Sequence, residues 1–371
     1  MAKKTILLIS PQAWGNVFVS KHHYALVLEE MGYKVYFLDP PLKNSTEPLT
    51  VTRVHEDKDL YIIQSAFRNN LFLRYHFGIL YSWLVKRWIK KLLLQLSDID
   101  IIWCFETNIF RDFSIFGLRK KIFHVVDPID EKLTGIAATA DLTVCISNRI
   151  LKQFDNVVGK KIFVNHGLSK NAIQQAKSID FEKYIVPARL QAGYVGNLSR
   201  AIIDTVVIYN IARDNPSIDF HFWGPGTESN LGGETLLLIN DLRHLKNVFF
   251  NPPVSSMDLI NTIKGMDIFL LAYKKVKGAH DASNAHKILE YLATGKLVVS
   301  TYIDQYNAEK FENLLVMSPE DENNKLPGIF KTSVDQIAIW NSIQKMQSRR
   351  IFAVEHSYLH NAAAILSIIN E

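Results

Sequence analysis

Short apolar runs alternate with longer amphipathic stretches along the first half of the chain. The apolar runs are TILLIS (5–10), KVYFLD (34–39), DIIWCF (100–105), IFHVVD (122–127), LTVCIS (142–147) and IFVNH (162–166). Runs of this length without polar alternation are typical of strands buried on both faces of a parallel sheet. Helices are predicted between them near 21–31, 74–96 and 148–155. This alternation predicts a doubly wound parallel sheet.

A second alternating series begins after a polar, irregular stretch at about 168–190, which we interpret as an interdomain linker. Strands are predicted at 192–197, 218–224, 247–251, 267–273 and 297–301, and helices at 202–213, 256–265, 333–347 and 350–370. The predicted fold class is therefore α/β, with two facing Rossmann-like domains that are each a doubly wound parallel sheet. We expect the first domain to cover 1–170 and the second 185–349, with the final helix, 350–371, packing back on the first.

Composition narrows the functional classes. The 371 residues, 48% of them apolar, provide sizeable cores for two globular domains. The net charge of +5 suits an anionic small molecule or an anionic membrane surface, and it is too weak to indicate a nucleic-acid partner.

Cys104 and Cys145 lie in apolar strand-like runs, which favours buried thiols over a disulfide or a metal site. The start of the chain lacks a signal-peptide pattern, and no run approaches the ~20 apolar residues of a membrane span, so we expect a cytoplasmic protein.

The stretch SNAHKILEYLATGKLVVST (283–301) combines polar chemistry with a helix and a following strand. Ser283 or Asn284 is expected to cap the helix, and Lys287 falls in its first turn, where a cation opposes the helix dipole unless an anion is bound. Glu290 follows three residues later on the same face. This arrangement fits a nucleotide diphosphate, with Lys287 on phosphate and Glu290 accepting from ribose hydroxyls. The alternative is a surface Lys–Glu pair worth only tenths of a kcal/mol.

The same stretch resembles the donor-nucleotide signature of GT-B fold glycosyltransferases of the family 4 type, which include bacterial polysaccharide-assembly enzymes. The matching residues are Lys287, Glu290, Tyr291, Leu292, Ala293, Gly295, Lys296, Val298 and Val299. Leu297 replaces the usual proline, and Ala282 stands where an acid is expected, with Asp281 one residue away. The stretch AGYVGNLSRAIIDTVVIYNIARDNPSIDFHFWGPG is similar to the first βαβ unit of the same nucleotide domain.

The resemblance implies a set of donor-binding residues in the second domain. Gly196 and Asn197 would form the turn nearest the donor phosphates, where a Cβ would block close approach of the backbone. The base would be held by backbone groups near Val254. The remaining implied donor residues are Ser283, Asn284, His286, Lys287 and Glu290, with His280 and Asp281 as candidates for contact with the donor sugar.

The resemblance also implies that the acceptor enters over the loops of the first sheet. It nominates the loop with Trp14 and Gly15, the helix start with His22 and His23, and the HVVDPID strand end. Asp127 would sit at a strand's carboxyl end, where an inverting enzyme places its general base. The alternative is that Asp127 caps the following helix.

Further catalytic candidates lie beside Asp127. Asp130 and Glu131 follow it closely along the chain, and His124 precedes it on the strand. A histidine on an apolar strand is also consistent with a place in the core.

Metals and dinucleotide cofactors are not expected. The first strand is not followed by G-x-G-x-x-G, and the Asp98-x-Asp100 pair leads straight into an apolar strand, which indicates a strand entry. GT-B enzymes generally need no bound divalent ion, so the resemblance implies a metal-independent reaction and no cofactor beyond the nucleotide-sugar co-substrate, UDP- or GDP-linked.

The predicted helix at 74–96 is amphipathic. Val85, Trp88, Ile89, Leu92 and Leu96 fall on one side, and Lys86, Arg87 and Lys90, joined by Trp83 and Leu94, fall opposite. Either this is a core helix with a basic solvent face, or the basic side touches an anionic bilayer that carries a lipid-linked acceptor. The second interpretation predicts a peripheral protein at the inner face of the cell membrane.

Together these residues predict a glycosyltransferase that moves a sugar from a nucleotide-diphosphate donor to a hydroxyl of a glycan or lipid-linked acceptor, in surface polysaccharide assembly. Two alternatives stay open. One is a nucleotide-sugar epimerase of the same fold, and the other is a non-catalytic nucleotide-sugar-binding subunit.

Overall fold

The computed structural model describes residues 3–15, 18–42, 47, 49–67, 69–96, 98–224, 233–274, 284–307 and 309–371, with the backbone alone for 233–235. The chain divides into two compact units. The N-terminal unit comprises Met1–Asn165 and Tyr358–Glu371, and the C-terminal unit comprises His166–Ser357.

Fourteen strands are assigned within the described residues. They are β1 (Thr5–Ile9), β2 (Lys34–Leu38), β3 (Leu49–Arg53), β4 (Leu60–Ser65), β5 (Ile101–Cys104), β6 (Lys120–Val125), β7 (Leu142–Cys145), β8 (Lys160–Phe163), β9 (Gln191–Val195), β10 (Asp219–Trp223), β11 (Val248–Asn251), β12 (Ile268–Leu271), β13 (Leu297–Ser300) and β14 (Val316–Met317). Each predicted apolar run overlaps one of these strands, because each run supplies side chains to both covered faces of a sheet.

Thirteen α-helices are assigned within the same residues. They are α1 (Ser20–Glu30), α2 (Leu71–His76), α3 (Gly78–Gln95), α4 (Asn148–Lys152), α5 (Lys170–Lys177), α6 (Thr205–Asp214), α7 (Gly233–His244), α8 (Leu259–Ile263), α9 (Lys287–Ala293), α10 (Leu326–Asp335), α11 (Ile337–Trp340), α12 (Ile343–Glu355) and α13 (Tyr358–Asn370). Short 3-10 helices occur at Phe113–Phe116, Glu131–Thr139, Asp304–Tyr306, Glu309–Phe311 and Asn323–Lys325. None of the described helices combines the length and the apolar character that crossing a bilayer requires.

The N-terminal unit is built on an eight-stranded sheet in the order β3-β4-β2-β1-β5-β6-β7-β8. All neighbouring strands are parallel except the edge pair β3–β4, which is antiparallel. The alternating side chains of β1 supply two cores. Leu7 packs with the buried side of α3, and Ile6 packs with residues of α1 and α13. The sheet is therefore covered on both faces, as the sequence predicts.

The C-terminal unit contains a six-stranded, all-parallel sheet in the order β11-β10-β9-β12-β13-β14. The strand order reverses between β9 and β12, and in the N-terminal unit it reverses between β1 and β5. In open α/β sheets, ligands bind beyond the carboxyl ends of the strands at such a reversal. The loops after β9 and β12, and those after β1 and β5, are therefore the places where ligand-binding residues are expected.

The chain passes from one unit to the other twice, at Asn165–His166 and at Ser357–Tyr358, and both boundaries differ from the predicted ones. The stretch interpreted as a linker contains α5, which Ser169 caps and whose Ala172 and Ala176 join the core of the C-terminal unit. The sequence looks polar there because the only fully buried residues of α5 are these two small alanines, four positions apart, with Ile173 packing partly buried beside them. The final predicted helix is two helices, α12 and α13, and the chain returns to the N-terminal unit between them, at Ser357–Tyr358.

Candidate functional site

Lys287 is the first residue of α9 and is only 9% exposed. Its Nζ donates a hydrogen bond to Tyr194 Oη at 3.1 Å and lies 4.7 Å from the centroid of the same ring. Within the described parts of the chain, no carboxylate forms an ion pair with this amine. A buried cation held only by a phenol and an aromatic face is costly to desolvate unless an anionic ligand completes the site.

Gly196 brings the backbone beyond β9 against this lysine. Its φ is +138°, a conformation that L side chains rarely adopt, and its N–H donates to Trp223 O at 2.7 Å. A Cβ on Gly196 would overlap the Nζ of Lys287 and stand 2.8 Å from its Cε. Gly224, which follows β10, is equally constrained, because a Cβ there would stand 2.7 Å from the carbonyl carbon of Gly196. The two glycines therefore make a crowded turn beyond β9; Gly196 was named in the sequence analysis together with Asn197, whereas Gly224 was not singled out.

Tyr291 fixes α9 to the end of β9. Its buried Oη accepts a hydrogen bond from the Val195 N–H at 2.8 Å, and its ring stacks on Phe269 of β12 with centroids 4.2 Å apart. The register between Lys287 and Gly196 therefore depends on this tyrosine. Sequence reasoning matched Tyr291 to the signature without assigning it a role.

Glu290 lies partly buried one turn after Lys287. Burial raises the pKa of its carboxyl to about 7, and the nearby Lys287 charge opposes this rise. It has no hydrogen-bond or ion-pair partner among the residues that the structure describes. Its oxygens are therefore available to a ligand, and its charge changes near neutral pH.

Two other predicted donor residues, Asn197 and Val254, have side chains that contact their own loop or core. The side chain of Asn197 is engaged in its own loop, where Oδ1 accepts from Ser199 N at 2.8 Å and from Ser199 Oγ at 2.5 Å. Val254 is partly buried in the loop after β11 and packs on the core of the C-terminal unit. Both therefore shape loops at the carboxyl edge of the sheet.

The residues before α9 correct the expected cap. The N-cap position is His286, without a side-chain cap bond, so Asn284 is not the cap, and α9 has only seven residues. Asn284 is buried, and its carbonyl lies 3.1 Å from His166 Nε2, a residue that the sequence analysis did not single out. His286 is exposed, with its ring 5.9 Å from that of His166. His280, Asp281 and Ser283 lie outside the described residues.

The N-terminal unit places three charged residues near its own strand reversal. Lys21, in the first turn of α1, is buried, and burial lowers the pKa of its amine while Asp127 and Glu106 oppose this. Glu106 follows β5 and is also buried, which raises the pKa of its carboxyl. Its Oε1 accepts from the N–H groups of Asn108 and Ile109. Glu106 was missed because its sequence context, CFETN, carries no motif.

Asp127 and Asp130 have different environments. Asp127 is exposed two residues beyond β6 and has no hydrogen-bond partner within the described ranges. Asp130 accepts from Lys132 N at 3.0 Å and caps the 3-10 helix that begins at Glu131. The interpretation of Asp127 as the helix cap is therefore wrong, because Asp130 fills that position.

The candidate histidines of this unit are mainly structural. His124 lies in the core, where its Nδ1 accepts from Trp103 Nε1 at 3.2 Å and its ring stacks on Phe105. His22 is buried, with Nδ1 accepting from Val19 N at 3.2 Å and Nε2 lying 3.1 Å from Ala13 O. His23 stacks on Tyr358, and burial lowers the pKa of its imidazole to about 4.

The loop after β1 is held to the core. The Trp14 N–H donates to Asp39 Oδ1 at 2.8 Å, and the Trp14 ring packs against Phe37 with centroids 5.0 Å apart. Gly15 is exposed. Asp100 Oδ2 accepts from Thr5 N at 2.7 Å, which matches the predicted strand entry. No group of three or more metal-ligating side chains occurs in the described part of the chain.

The structure is similar to solved structures of sugar-transferring enzymes. It matches trehalose-6-phosphate synthase from E. coli bound with UDP-2-fluoro glucose at a TM-score of 0.72 and 10% identity, covering 99% of both chains. It also matches α,α-trehalose-phosphate synthase (UDP-forming) from Burkholderia xenovorans in complex with glucose-6-phosphate. The TM-score of this match is 0.73 and the sequence identity is 10%, and it covers 99% of this chain and 100% of that one. Sucrose-phosphate synthase from Thermosynechococcus elongatus is matched at a TM-score of 0.69 and 11% identity, covering 99% of this chain and 98% of that one.

The chain has the GT-B fold. That part of the predicted resemblance is confirmed, whereas these matches do not support the narrower family 4 type. No protein-family model matches the sequence, and no curated protein matches it. At identities of 10–11% the similarity establishes the fold, so the chemistry has to be argued from the site itself.

Proposed function

We propose that the protein is a glycosyltransferase that moves a sugar from a UDP-linked donor to an acceptor hydroxyl. The observation that carries the proposal is the position of Lys287, a buried amine without a carboxylate partner in the described chain, against the glycine turn after β9. A diphosphate supplies the missing negative charge, and the turn at Gly196 lets the backbone approach it closely. The strand reversal between β9 and β12 is where such a ligand is expected.

Each donor residue has a role in this proposal. Lys287 binds the diphosphate and stabilises the charge that develops on it as the bond to the sugar breaks, so no metal ion is required. Glu290, as a carboxylate, accepts hydrogen bonds from the ribose hydroxyls. Tyr194 and Tyr291 hold the lysine and its helix in register with β9. The UDP in the names of similar structures supports uridine as the base.

The acceptor is assigned to the N-terminal unit, at the carboxyl ends of β1, β5 and β6. Asp127 is the preferred proton acceptor because it is exposed and makes no hydrogen bond with a described residue, whereas Asp130 is used as a cap. In an inverting reaction the acceptor oxygen bonds to the anomeric carbon, the diphosphate leaves with the electron pair, and Asp127 takes the hydroxyl proton. The buried amine of Lys21 interacts electrostatically with both Asp127 and Glu106.

The acceptor class is either a phosphorylated sugar, as in the glucose-6-phosphate complex of the similar synthase, or a growing surface polysaccharide on a lipid carrier. Both present a sugar hydroxyl beside a phosphate. Release of UDP from UDP-glucose, with glucose-6-phosphate or an undecaprenyl-diphosphate-linked sugar added, distinguishes the two.

The test uses the full chain with EDTA present. We expect acceptor-dependent UDP release by the wild type, reduced at least about tenfold in Lys287→Met and in Glu290→Ala. The matched control is Lys264→Met, an exposed lysine of the same unit. Conversion of the donor to another sugar nucleotide without UDP release would instead identify an epimerase, and UDP binding without turnover would identify a non-catalytic subunit.

A further inference from the structure

The helices α2 and α3 expose an unusual concentration of apolar side chains. Of the 22 large hydrophobic residues that are exposed in the described chain, eight lie between residues 71 and 94. Three of them are Leu71, Phe72 and Tyr75 on α2, a helix with no buried residue at all. A contiguous exposed apolar patch on a soluble protein marks a surface that binds something.

The exposed side of α3 continues this patch as a stripe. Ile79, Trp83, Arg87, Lys90 and Leu94 follow one another at intervals of four, four, three and four residues, which places them on one helix face. Ile79 is 91% exposed, Trp83 54% and Leu94 77%. The opposite face, with Val85, Trp88 and Leu92 among others, is buried in the core of the N-terminal unit. The exposed stripe therefore does not pack against the core of its own unit.

The charged side chains of α2 and α3 are all positive. Residues 71–96 contain five arginines and lysines, namely Arg74, Lys86, Arg87, Lys90 and Lys91, and no aspartate or glutamate. Two of the cations lie over neighbouring aromatic rings, Arg87 at 5.6 Å from Trp83 and Arg74 at 5.3 Å from Tyr75. Exposed aromatic and aliphatic side chains among cations match the boundary of an anionic bilayer, which offers hydrocarbon and negative headgroups side by side.

A second copy of the chain fits this surface poorly. A two-fold contact through the patch would bring five cations of one copy against the same five of the other, which costs several kcal/mol if they are juxtaposed. An anionic lipid surface instead offers charge of the opposite sign to the exposed cations Lys86, Arg87, Lys90 and Lys91. The positive charge of this surface therefore favours an anionic bilayer over a second copy of the chain as its binding partner.

We propose that the face formed by α2 and the exposed side of α3, here called the basic apolar face, docks the protein on an anionic lipid bilayer. Ile79, Trp83 and Leu94 enter the headgroup region, and the lysines and arginines pair with anionic headgroups. This docking is independent of the proposed transfer reaction, because the face contains none of the residues assigned to donor or acceptor.

The test measures flotation of the full chain with vesicles of phosphatidylcholine alone or mixed with phosphatidylglycerol, without donor or acceptor. We expect the wild type to float with the mixed vesicles and not with the neutral ones. Ile79→Ser/Leu94→Ser and Lys86→Gln/Lys90→Gln should each lower the bound fraction at least about tenfold at matched lipid concentration. All four side chains are exposed, so the variants are expected to retain the wild-type Tm.

Two matched controls separate this face from general surface effects. Leu237→Ser/Ile351→Ser removes two exposed aliphatic residues of α7 and α12, and Lys177→Gln/Lys331→Gln removes two exposed lysines of α5 and α10. Both should float like the wild type. Absence of wild-type flotation, equal loss in the controls, or a concentration-dependent dimer that Ile79→Ser/Leu94→Ser abolishes would each overturn the proposal.

Discussion

The amine of Lys287 fills the space that a side chain on Gly196 would need. The two residues are 91 positions apart in sequence, yet a Cβ on the glycine would overlap the Nζ of the lysine. The positive φ of Gly196 and the hydrogen bond that this amine donates to Tyr194 make the pair a fixed feature of the C-terminal unit. This contact allows the donor site to be tested at its most crowded point.

We expect Gly196→Ala to weaken UDP binding at least about tenfold, because the new methyl group displaces the Lys287 amine from its position. The backbone conformation also becomes strained, which should lower the free energy of unfolding by about 1–3 kcal/mol. Calorimetric titration with UDP and urea denaturation measure the two effects. Gly265→Ala is the control, because a Cβ there meets no atom within 4 Å. Unchanged UDP affinity in Gly196→Ala would remove this turn from the site.

Lys287→Met should separate binding from stability. The methionine keeps most of the aliphatic stem over Tyr194 and removes a buried cation, so we expect the free energy of unfolding to stay constant or to rise. UDP affinity should fall by about 10- to 100-fold, the range for a lost charged hydrogen bond of ~1.5–3 kcal/mol. Titration calorimetry and thermal melts of the variant, with Lys264→Met alongside, check both. A drop in Tm with unchanged affinity would make Lys287 a structural residue.

The pH dependence of Glu290 should have opposite signs for stability and for binding. Its folded pKa of about 7 lies above the ordinary value of 4.5, so the folded protein retains a proton that the unfolded chain releases. The stability that this proton provides is complete below pH 4.5 and is lost as the pH rises to about 7. The loss is at most about 3 kcal/mol, and less for a partly exposed carboxyl.

Donor binding should instead improve as the pH rises through 7, because only the carboxylate accepts from both ribose hydroxyls. UDP-glucose is the suitable probe, since its diphosphate diester does not titrate in this range. Glu290→Gln should lose both dependences, as measured by urea denaturation at pH 5 and 7 and by titration calorimetry at pH 6 and 8. A wild-type affinity that is constant across pH 6–8 would argue against the ribose role.

Most of the parallel strands were predictable from sequence because a strand buried on both faces needs an apolar run; the parallel strands β4 and β14 are the exceptions. The edge pair β3–β4 was not predicted. Thr50 and Thr52 alternate with apolar residues on β3, which is largely exposed and gives no continuous run. β14 has only two residues, Val316 and Met317, and is too short to leave any pattern.

The candidate site was predictable only where its chemistry is local. Lys287 and Glu290 are three residues apart, so their shared helix face follows from spacing alone. The partners of α9 are 93 and 96 residues away, at Tyr194 and Val195, and no sequence period connects them. Likewise, the burial of Lys21 near Glu106 and Asp127 depends on the first turn of α1 meeting the loops after β5 and β6 at one sheet edge.

The two aspartates after β6 should respond to substitution in opposite ways. Asp127→Asn should reduce transfer by about 10²–10⁴-fold, the usual contribution of a positioned proton acceptor. Its free energy of unfolding should remain within about 0.5 kcal/mol of wild type, because Asp127 makes no hydrogen bond with a described residue. Asp130→Ala should do the reverse, losing the cap on Lys132 N at a cost of about 0.5–2 kcal/mol while turnover is kept. Initial rates of UDP release and urea denaturation on both variants provide the comparison. Because each variant is the other's control, a loss of turnover in Asp130→Ala with full activity in Asp127→Asn would transfer the role of proton acceptor to Asp130.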